Sequence, residues 1–165
     1  MPMIEVMEGN LALAEHANAV LRLLNEYACD PMGGGKELPA YTRDHLIAEL
    51  RKRDGTHVIL GVVEGETAGL VICFEGFSTF ACKPLLNIHD IVVSRKHRGK
   101  GLSKLLLQKA EAIAVKLGCC KLTLEVLEGN HAAQAAYRAS GFTGYELDPR
   151  MGKAMFWEKK LSKAE

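Results

Sequence analysis

Residues 91–103 of the chain read IVVSRKHRGKGLS, and this stretch decides how the sequence around it is interpreted. The β-branched residues at its start are typical of a strand, and an apolar stripe at helical spacing follows from Leu102 to Leu117. Between the two, Gly99 and Gly101 allow backbone N–H groups to turn inward, and the free N–H groups at a helix start add partial positive charge. The stretch therefore predicts an anion-binding turn between a strand and a helix.

Basic side chains are concentrated around this turn. Residues 94–109 contain six Lys or Arg and no Asp or Glu, which suits a ligand with several phosphates. Residues 1–90 carry 7 basic and 13 acidic side chains, whereas residues 91–165 carry 14 and 7. An acidic half and a basic half would suit a cationic substrate and a phosphorylated cofactor. The alternative is chance scatter of charge over a solvated surface.

Hydrophobic periodicity along the chain predicts a strand, two helices, three strands, a helix, a strand, a helix and two final strands. This order is typical of a mixed α/β (α+β) domain whose central sheet carries helices on both faces. Thr42 is the expected N-cap of the second helix, and Gly118 is expected to end the third. The predicted strands are residues 4–7, 57–64, 67–74, 85–93, 121–126, 142–145 and 154–157, and the predicted helices are 16–29, 42–52, 102–117 and 130–141.

Size and composition indicate one globular domain over residues 1–165. The chain is 48% hydrophobic and 25% charged, a mixture able to bury one continuous core. No apolar run approaches the roughly 18 residues needed to cross a bilayer, and the first residues lack the features of a signal peptide. We therefore expect a cytoplasmic protein without a membrane partner. The five Cys and six His show no metal-ligand spacing, and we expect no metal.

Two motifs of the chain share their pattern with a known family. Arg98-Gly99-Lys100-Gly101-Leu102-Ser103 fits Q/R-x-x-G-x-G/A except at its last position, where Ser103 replaces Gly or Ala. Downstream, Asn130 precedes a short helix that carries Tyr137 and ends at Gly141-Phe142. In these motifs the chain resembles the GNAT superfamily of N-acetyltransferases. The resemblance implies a GNAT-like fold, with a central mixed, mostly antiparallel sheet of six to seven strands and helices on both faces.

The resemblance also implies acetyl-CoA as the acetyl donor and the primary amine of a small molecule or peptide as the acceptor. Backbone groups of residues 91–93 would pair with the pantetheine arm, residues 98–103 would hold the pyrophosphate, and Asn130 would meet the pantetheine arm. Arg95 or Lys104 would reach the 3′-phosphate. A homodimer is also consistent with the resemblance. The implied cofactor-binding residues are Ile91, Val92, Val93, Arg98, Gly99, Lys100, Gly101, Leu102, Ser103 and Asn130.

Acetyl transfer to an amine needs a base for the ammonium proton and an acid for the departing thiolate. Tyr137 is the candidate acid, because it follows Asn130 by two helical turns and so shares a face with it; the alternative is a packing residue. The base is His89, Asp90 or a residue that the sequence does not identify. In the polyamine and thialysine acetyltransferase branch, which residues 76–80 also resemble, the strand reads Glu-Asp at this point. Histidine at position 89 removes a negative charge that would attract a polycation.

Two other functions compete with an active acetyltransferase. A catalytically inactive acetyl-CoA-binding regulatory module would keep the cofactor motif and lose turnover. The presence of Tyr137 argues against this alternative, and the changed residue His89 argues for it. A nucleic-acid-binding domain built on residues 94–109 is disfavoured, because the basic charge is confined to one turn and helix and aromatic residues make up only 6%. We expect no nucleic-acid partner.

Overall fold

The structure is a computed structural model, and it describes residues 1–162. The described part of the chain contains five strands and four α-helices, with three short 3₁₀ turns between them. The strands are β1 (Ile4–Glu8), β2 (Thr56–Val63), β3 (Glu66–Ser78), β4 (Lys83–Val93) and β5 (Leu122–Leu124). The helices are α1 (Ala14–Cys29), α2 (Ala40–Lys52), α3 (Leu102–Lys116) and α4 (His131–Ala139).

The strands form one mixed sheet in the order β1-β2-β3-β4-β5. Each of the first four strands pairs antiparallel with the next, and β5 joins the edge parallel to β4. The predicted mixed, mostly antiparallel sheet is therefore confirmed. The prediction of six to seven strands is wrong, because the sheet has five strands in the described residues.

The two predicted strands that do not form are residues 142–145 and 154–157. The chain around them makes only an isolated bridge, between Glu146 and Lys153. Large apolar side chains of this region are exposed, as Trp157 is at 80%. Burial of these side chains therefore does not offset the conformational entropy lost on ordering a strand. Apolar alternation predicted strands here, but it does not report whether a neighbour is available for pairing.

Apolar side chains alternate between the two faces of the sheet and so form two cores. Leu70 and Ile72 of β3 pack with α1 and α2, whereas Val71 and Cys73 pack with α3 on the opposite face. This division confirms the prediction of helices on both faces. The α1–α2 core also contains Val20, Leu23, Leu24, Leu50, Val58, Leu60 and Val92, and the α3 core also contains Ile59, Val63, Ala68, Leu86, Ile88, Leu102, Leu106, Leu107, Ala110, Ile113 and Ala114.

A pair of facing glycines brings α3 close to the sheet. Gly61 of β2 lies opposite Gly69 of β3 in the register. A Cβ atom built on Gly61 would lie 2.6 Å from Cδ1 of Leu102, and one built on Gly69 would lie 2.8 Å from Cδ1 of Leu106. Both leucines are buried, so they fill the space that the missing Cβ atoms leave. This contact holds the start of α3, where the predicted anion-binding turn ends, against β2 and β3.

The helix ends show one difference from the prediction. α3 ends before Gly118, as predicted, and the φ of 73° at Gly118 lies in the left-handed region that favours glycine. The prediction of Thr42 as the N-cap of α2 is wrong, because the helix begins at Ala40, directly after Pro39. The φ of Pro39 is −54°, and its carbonyl accepts a hydrogen bond from the Arg43 N–H at 3.1 Å, so the proline opens the helix.

None of the described helices has the length and apolar character needed to span a membrane.

Candidate functional site

A cleft opens where β5 separates from β4. The two strands pair only over residues 86–88 and 122–124, so the edge of β4 beyond Ile88 has no strand neighbour on that side in the described chain. A cleft of about 930 Å³ lies in the gap, bounded by β4, α4, the start of α3 and the end of α1. A free strand edge presents unpaired N–H and C=O groups, which can bind an extended ligand.

Most of the residues singled out in the sequence line this one cleft. They come from β4, from the turn after it, from the first turn of α3 and from α4. Lys100 does not line the cleft, and its Nζ atom lies 3.4 Å from Nδ1 of His97. The predicted residues that do line the cleft are His89, Asp90, Ile91, Val92, Val93, Arg98, Gly99, Gly101, Leu102, Ser103, Asn130 and Tyr137.

A β-bulge in β4 sets the direction of His89 and Asp90. The register of β4 against β3 shifts between Ile72 and Cys73, so His89 is an extra residue without a partner of its own. Asp90 pairs with Ile72 and therefore shares the α1–α2 face of the sheet. The His89 ring contacts Phe74 on the same face, with 5.3 Å between the ring centroids. The bulge thus places on one face two neighbours that a regular strand would point to opposite faces.

The turn after β4 and the start of α3 form a cradle of backbone N–H groups. Gly99 and Gly101 have φ values of 77° and 81°, and no atom would lie within 4 Å of a Cβ built on either of them. Gly101 is the N-cap of α3, and no described side chain caps the helix, so its first N–H groups remain available as donors. Together with the helix dipole, these donors favour an anion. The cradle therefore fits a phosphate group.

Asp30 holds two arginines of this turn. Its Oδ2 atom lies 3.1 Å from Nη2 of Arg95 and 3.6 Å from Nη2 of Arg98, and Nε of Arg98 also donates to the Val93 carbonyl at 3.2 Å. Hydrogen bonds from the Met32 N–H and then from Arg95 lower the pKa of Asp30, which keeps the carboxylate charged at neutral pH. The loop after α1 is therefore joined to the predicted anion-binding turn.

A second carboxylate, Glu66, anchors the other side of the turn. Its Oε2 atom accepts a hydrogen bond from Nζ of Lys96 at 2.8 Å and lies 3.2 Å from Nε2 of His97. These hydrogen bonds from Lys96 and His97 lower the pKa of Glu66. His97 is only 5% exposed, so the basic run of the sequence contains one buried residue that ties the turn to β3.

Asn130 and Tyr137 share one side of α4, as their spacing predicts. The Asn130 side chain accepts a hydrogen bond from the Ala133 N–H at 3.2 Å, which confirms its predicted role as the helix N-cap. All three residues line the cleft. The Tyr137 ring also packs against the α3 core and lies 6.0 Å from the Phe142 ring, measured between centroids. Tyr137 thus belongs both to the packing under α4 and to the cleft.

Burial raises the pKa of three cleft side chains. It raises the pKa of Asp90, although the nearby His89 lowers it, and a carboxylate with a raised pKa is better suited to accept a proton near neutral pH. Burial raises the pKa of Tyr137 to about 12, with a further increase from Tyr27. The pKa of Tyr27 is raised by burial and then by Asp90 and Asp30. Both phenols are therefore protonated hydrogen-bond donors at neutral pH.

Several cleft residues belong to no functional motif of the sequence. Helical periodicity assigns Tyr27 to the apolar stripe of α1, whereas the residue lines the cleft and its hydroxyl lies 3.5 Å from the Met32 carbonyl oxygen. Glu125 and Glu128 line the cleft from the loop after β5. The one signal available for them is position, because Glu125 directly follows a strand that ends where the sheet splays and Glu128 lies three residues further on. Tyr27 likewise lies in the last turn of α1, after the last buried residue of that helix, Leu24.

The cysteines do not form a second reactive centre in the cleft. All five are free thiols, and only Cys73 is fully buried. Burial raises the pKa of Cys73 to about 12, which keeps the thiol protonated and unreactive. Within residues 1–162, no group of three or more His, Cys, Asp or Glu side chains is arranged to hold a metal ion.

The fold and the cleft agree with one known family. The family model described as the acetyltransferase (GNAT) family matches residues 20–142, more than half of the chain. The match runs from the middle of α1 to just beyond α4 and so includes the strands, turn and helices that bound the cleft. The chain therefore belongs to the GNAT family, which confirms the resemblance seen in the two motifs.

Named relatives are similar over part of the chain. A streptothricin acetyltransferase from Streptomyces lavendulae is 39% identical over 93 residues, which are 56% of this chain and 47% of that protein. A thialysine N-epsilon-acetyltransferase from Bos taurus is 35% identical over 73 residues, 44% of this chain and 42% of that protein. The matched regions thus span less than half of either relative. An aminoglycoside N-acetyltransferase solved in complex with CoA shares the fold, with a TM-score of 0.74 and 16% identity over 98% of this chain and 97% of that one.

Proposed function

We propose that this protein, as one domain over residues 1–165, transfers an acetyl group from acetyl-CoA to the primary amine of a small molecule or peptide. The observation that carries the proposal is that a single cleft combines a free strand edge, an uncapped helix N-terminus, the Tyr137 phenol and the half-buried Asp90 carboxylate. Membership of the GNAT family supports it. Acetyl-CoA would supply the acetyl group as an activated thioester, and the chain would bind it, orient the amine and move the protons.

The cradle at residues 98–103 would hold the pyrophosphate of acetyl-CoA. Its backbone donors and the Arg98 side chain support this role. Lys100 would contribute its backbone N–H, since its side chain is directed to His97. The free edge at residues 91–93 would pair with the pantetheine arm, and Asn130 would contact that arm from α4.

Carboxylates elsewhere in the cleft would attract an ammonium group. Asp90, Glu125 and Glu128 all line the cleft, where their combined negative potential would favour a cationic acceptor over a neutral one. The acidic residues 1–90 account for this negative potential only in part, because Glu125 and Glu128 belong to the net basic residues 91–165. The names of the relatives, which are acetyltransferases for streptothricin, thialysine and aminoglycosides, also support an amine as the acceptor.

Tyr137 would assist departure of the CoA thiolate. Because its pKa is about 12, the hydroxyl stays protonated through the range in which the reaction would be measured. A phenol with a pKa above that of the thiol transfers its proton less readily, so its main contribution would be a hydrogen bond to the developing thiolate. The placement of Tyr137 on the same cleft-facing side of α4 as Asn130 supports this role.

We further propose that Asp90 is the general base, with His89 as the alternative. The unprotonated carboxylate is the form that accepts a proton, so the rate should fall as pH falls through the raised pKa of Asp90. Asp90→Asn should remove this acid limb from the pH–rate profile and lower the plateau by about 10²-fold. His89→Ala should keep the plateau and move the limb to higher pH, because His89 lowers the pKa of Asp90. The opposite pattern, with the limb lost only in His89→Ala, would transfer the role to His89.

Ligand-dependent stability tests the proposed coenzyme site. Acetyl-CoA should raise the melting temperature, whereas ATP and NAD should not, because neither offers a pantetheine arm to the free edge of β4. Ligand that binds only the native state stabilises it by roughly 2.7 kcal/mol at a hundredfold excess over Kd. Differential scanning fluorimetry with matched concentrations of the three compounds measures the shifts. An ATP shift equal to the acetyl-CoA shift would assign the cleft to nucleotides in general.

A catalytically inactive acetyl-CoA-binding module is the second candidate function. It is favoured by one observation, the exposed His89 at the position where the polyamine and thialysine branch carries glutamate. Such a module would be stabilised by acetyl-CoA but would release no thiol in the presence of amines. A homodimer and a cytoplasmic location stay predictions from the sequence.

A further inference from the structure

Two arginines beside the cleft, Arg95 and Arg98, share one carboxylate of the protein itself. The Asp30 side chain is 15% exposed, whereas those of Arg95 and Arg98 are 62% and 53% exposed. Asp30 and Arg98 both line the cleft, and the Asp30 Oδ2 atom lies within 4 Å of both guanidinium groups. The two cations thus form an anion site next to the phosphate cradle, and an internal anion already occupies it.

We infer that Asp30 competes with the phosphates of acetyl-CoA for Arg95 and Arg98, so that coenzyme binding releases the carboxylate from the arginines. The inference rests on the proposed function. A carboxylate carries one negative charge, whereas the pyrophosphate and 3′-phosphate carry several, and guanidinium groups bind phosphate oxygens in pairs. The phosphates are therefore the stronger partners. Without the exchange, the Asp30 charge would remain beside the bound phosphates and repel them.

The same residue organises the loop between α1 and α2. Oδ1 of Asp30 accepts a hydrogen bond from the Met32 N–H at 3.0 Å, and its carbonyl accepts from the N–H groups of Gly33 and Gly35 at 2.8 and 3.0 Å. Only Oδ2 contacts the arginines. On release, the loop would therefore keep its internal hydrogen bonds and lose its ion pairs with the turn after β4. Met32 lines the cleft. Coenzyme binding would thus remove the ion pairs that join this side of the cleft to the turn after β4.

Asp30→Asn tests the inference because it removes the charge and keeps the capping oxygen for the Met32 N–H. The Kd of acetyl-CoA, measured by isothermal titration calorimetry, should fall by about twofold to fivefold, the range expected for a solvent-screened ion pair. Acetyl-pantetheine, which lacks the phosphates, should bind the parent and the variant equally. Glu49→Gln is the matched control: it removes a carboxylate that pairs with Lys52 at 2.8 Å on α2, and it should leave both Kd values unchanged.

A double-mutant cycle shows whether Asp30 acts through the arginines. In an Arg95→Gln background, Asp30→Asn should increase the affinity for acetyl-CoA by a smaller factor, because one of the two cations that Asp30 pairs with is absent. A gain of undiminished size would mean that Asp30 repels the phosphates directly, which overturns the competition. The competition is also overturned if Asp30→Asn raises the Kd of acetyl-CoA and acetyl-pantetheine alike, or if it raises only the KM of the amine. If Asp30→Asn binds acetyl-CoA with unchanged affinity, the competition is rejected and the proposed function stands. If the parent does not bind acetyl-CoA, the proposed function itself is rejected.

Discussion

Gly101→Glu is expected to weaken acetyl-CoA binding by at least about 100-fold, which corresponds to about 2.7 kcal/mol of binding free energy. A Cβ at this position would meet no atom within 4 Å, so the new side chain would extend into the open space of the cradle. Its carboxylate would then occupy the place of a phosphate and repel the others. The φ of 81° costs a non-glycine residue about 1–2 kcal/mol, which leaves the fold intact in a typical domain. Titration calorimetry with acetyl-CoA measures the loss.

Gly118→Glu provides a matched control at the other end of the same helix. Gly118 has a φ of 73° and would also place its Cβ in open space, so backbone strain and added charge are nearly equal in the two variants. A negative charge is less favourable at the C-terminal end of a helix, so this control should be at least as destabilised as Gly101→Glu. It should nevertheless bind acetyl-CoA with the parental affinity. Equal binding by the two variants would place the phosphates outside the cradle.

Tyr137→Phe is expected to lower the rate of acetyl transfer by roughly 10-fold to 10³-fold, a barrier increase of about 1.4 to 4 kcal/mol. The substitution keeps the ring that packs against the α3 core and removes only the hydroxyl that would hydrogen bond to the departing thiolate. The Kd of acetyl-CoA should stay within a few-fold of the parental value. Single-turnover measurement of thiol release at saturating acetyl-CoA separates the chemical step from binding.

Tyr41→Phe is the control for loss of a tyrosine hydroxyl. Tyr41 is 72% exposed on α2 and stacks on His45, with 4.1 Å between ring centroids. It does not line the cleft, so loss of its hydroxyl should not change the rate of acetyl transfer. The pH profile adds a second check, because the protonated form of Tyr137 would be needed and its pKa is about 12. Tyr137 should therefore produce no alkaline decline below about pH 10. Parental turnover by Tyr137→Phe would return the residue to a packing role alone.

The parts of the cleft that are local in sequence could be predicted from sequence. The strand, turn and helix over residues 91–103 follow from adjacent residue types, because β-branched residues, glycines and an apolar stripe each restrict the backbone near themselves. The shared face of Asn130 and Tyr137 follows from helix geometry in the same way. The antiparallel pairings of β2 with β3 and of β3 with β4 are likewise consistent with the short connections between these strands.

The parts that depend on distant residues could not be predicted. The bulge at His89 comes from the register between two strands, and no residue type in β4 marks it. Asp30 pairs with Arg95, and Glu66 pairs with His97, across long separations in sequence. Arg95 and His97 belong to a basic run that resembles a solvated surface in the sequence. The two final strands were predicted from alternation alone, yet a strand also needs a partner edge and a core to cover.

Release of CoA thiol from acetyl-CoA in the presence of a panel of primary amines is the most direct test of the central claim. Purified protein should release thiol only when a suitable amine is present, with one acetylated amine formed per thiol by mass spectrometry. Gly101→Glu should abolish this release, and Tyr137→Phe should slow it while still binding acetyl-CoA. Parental protein that binds acetyl-CoA but releases no thiol above background with small-molecule or peptide amines would contradict acetyl transfer and leave an acetyl-CoA-binding module.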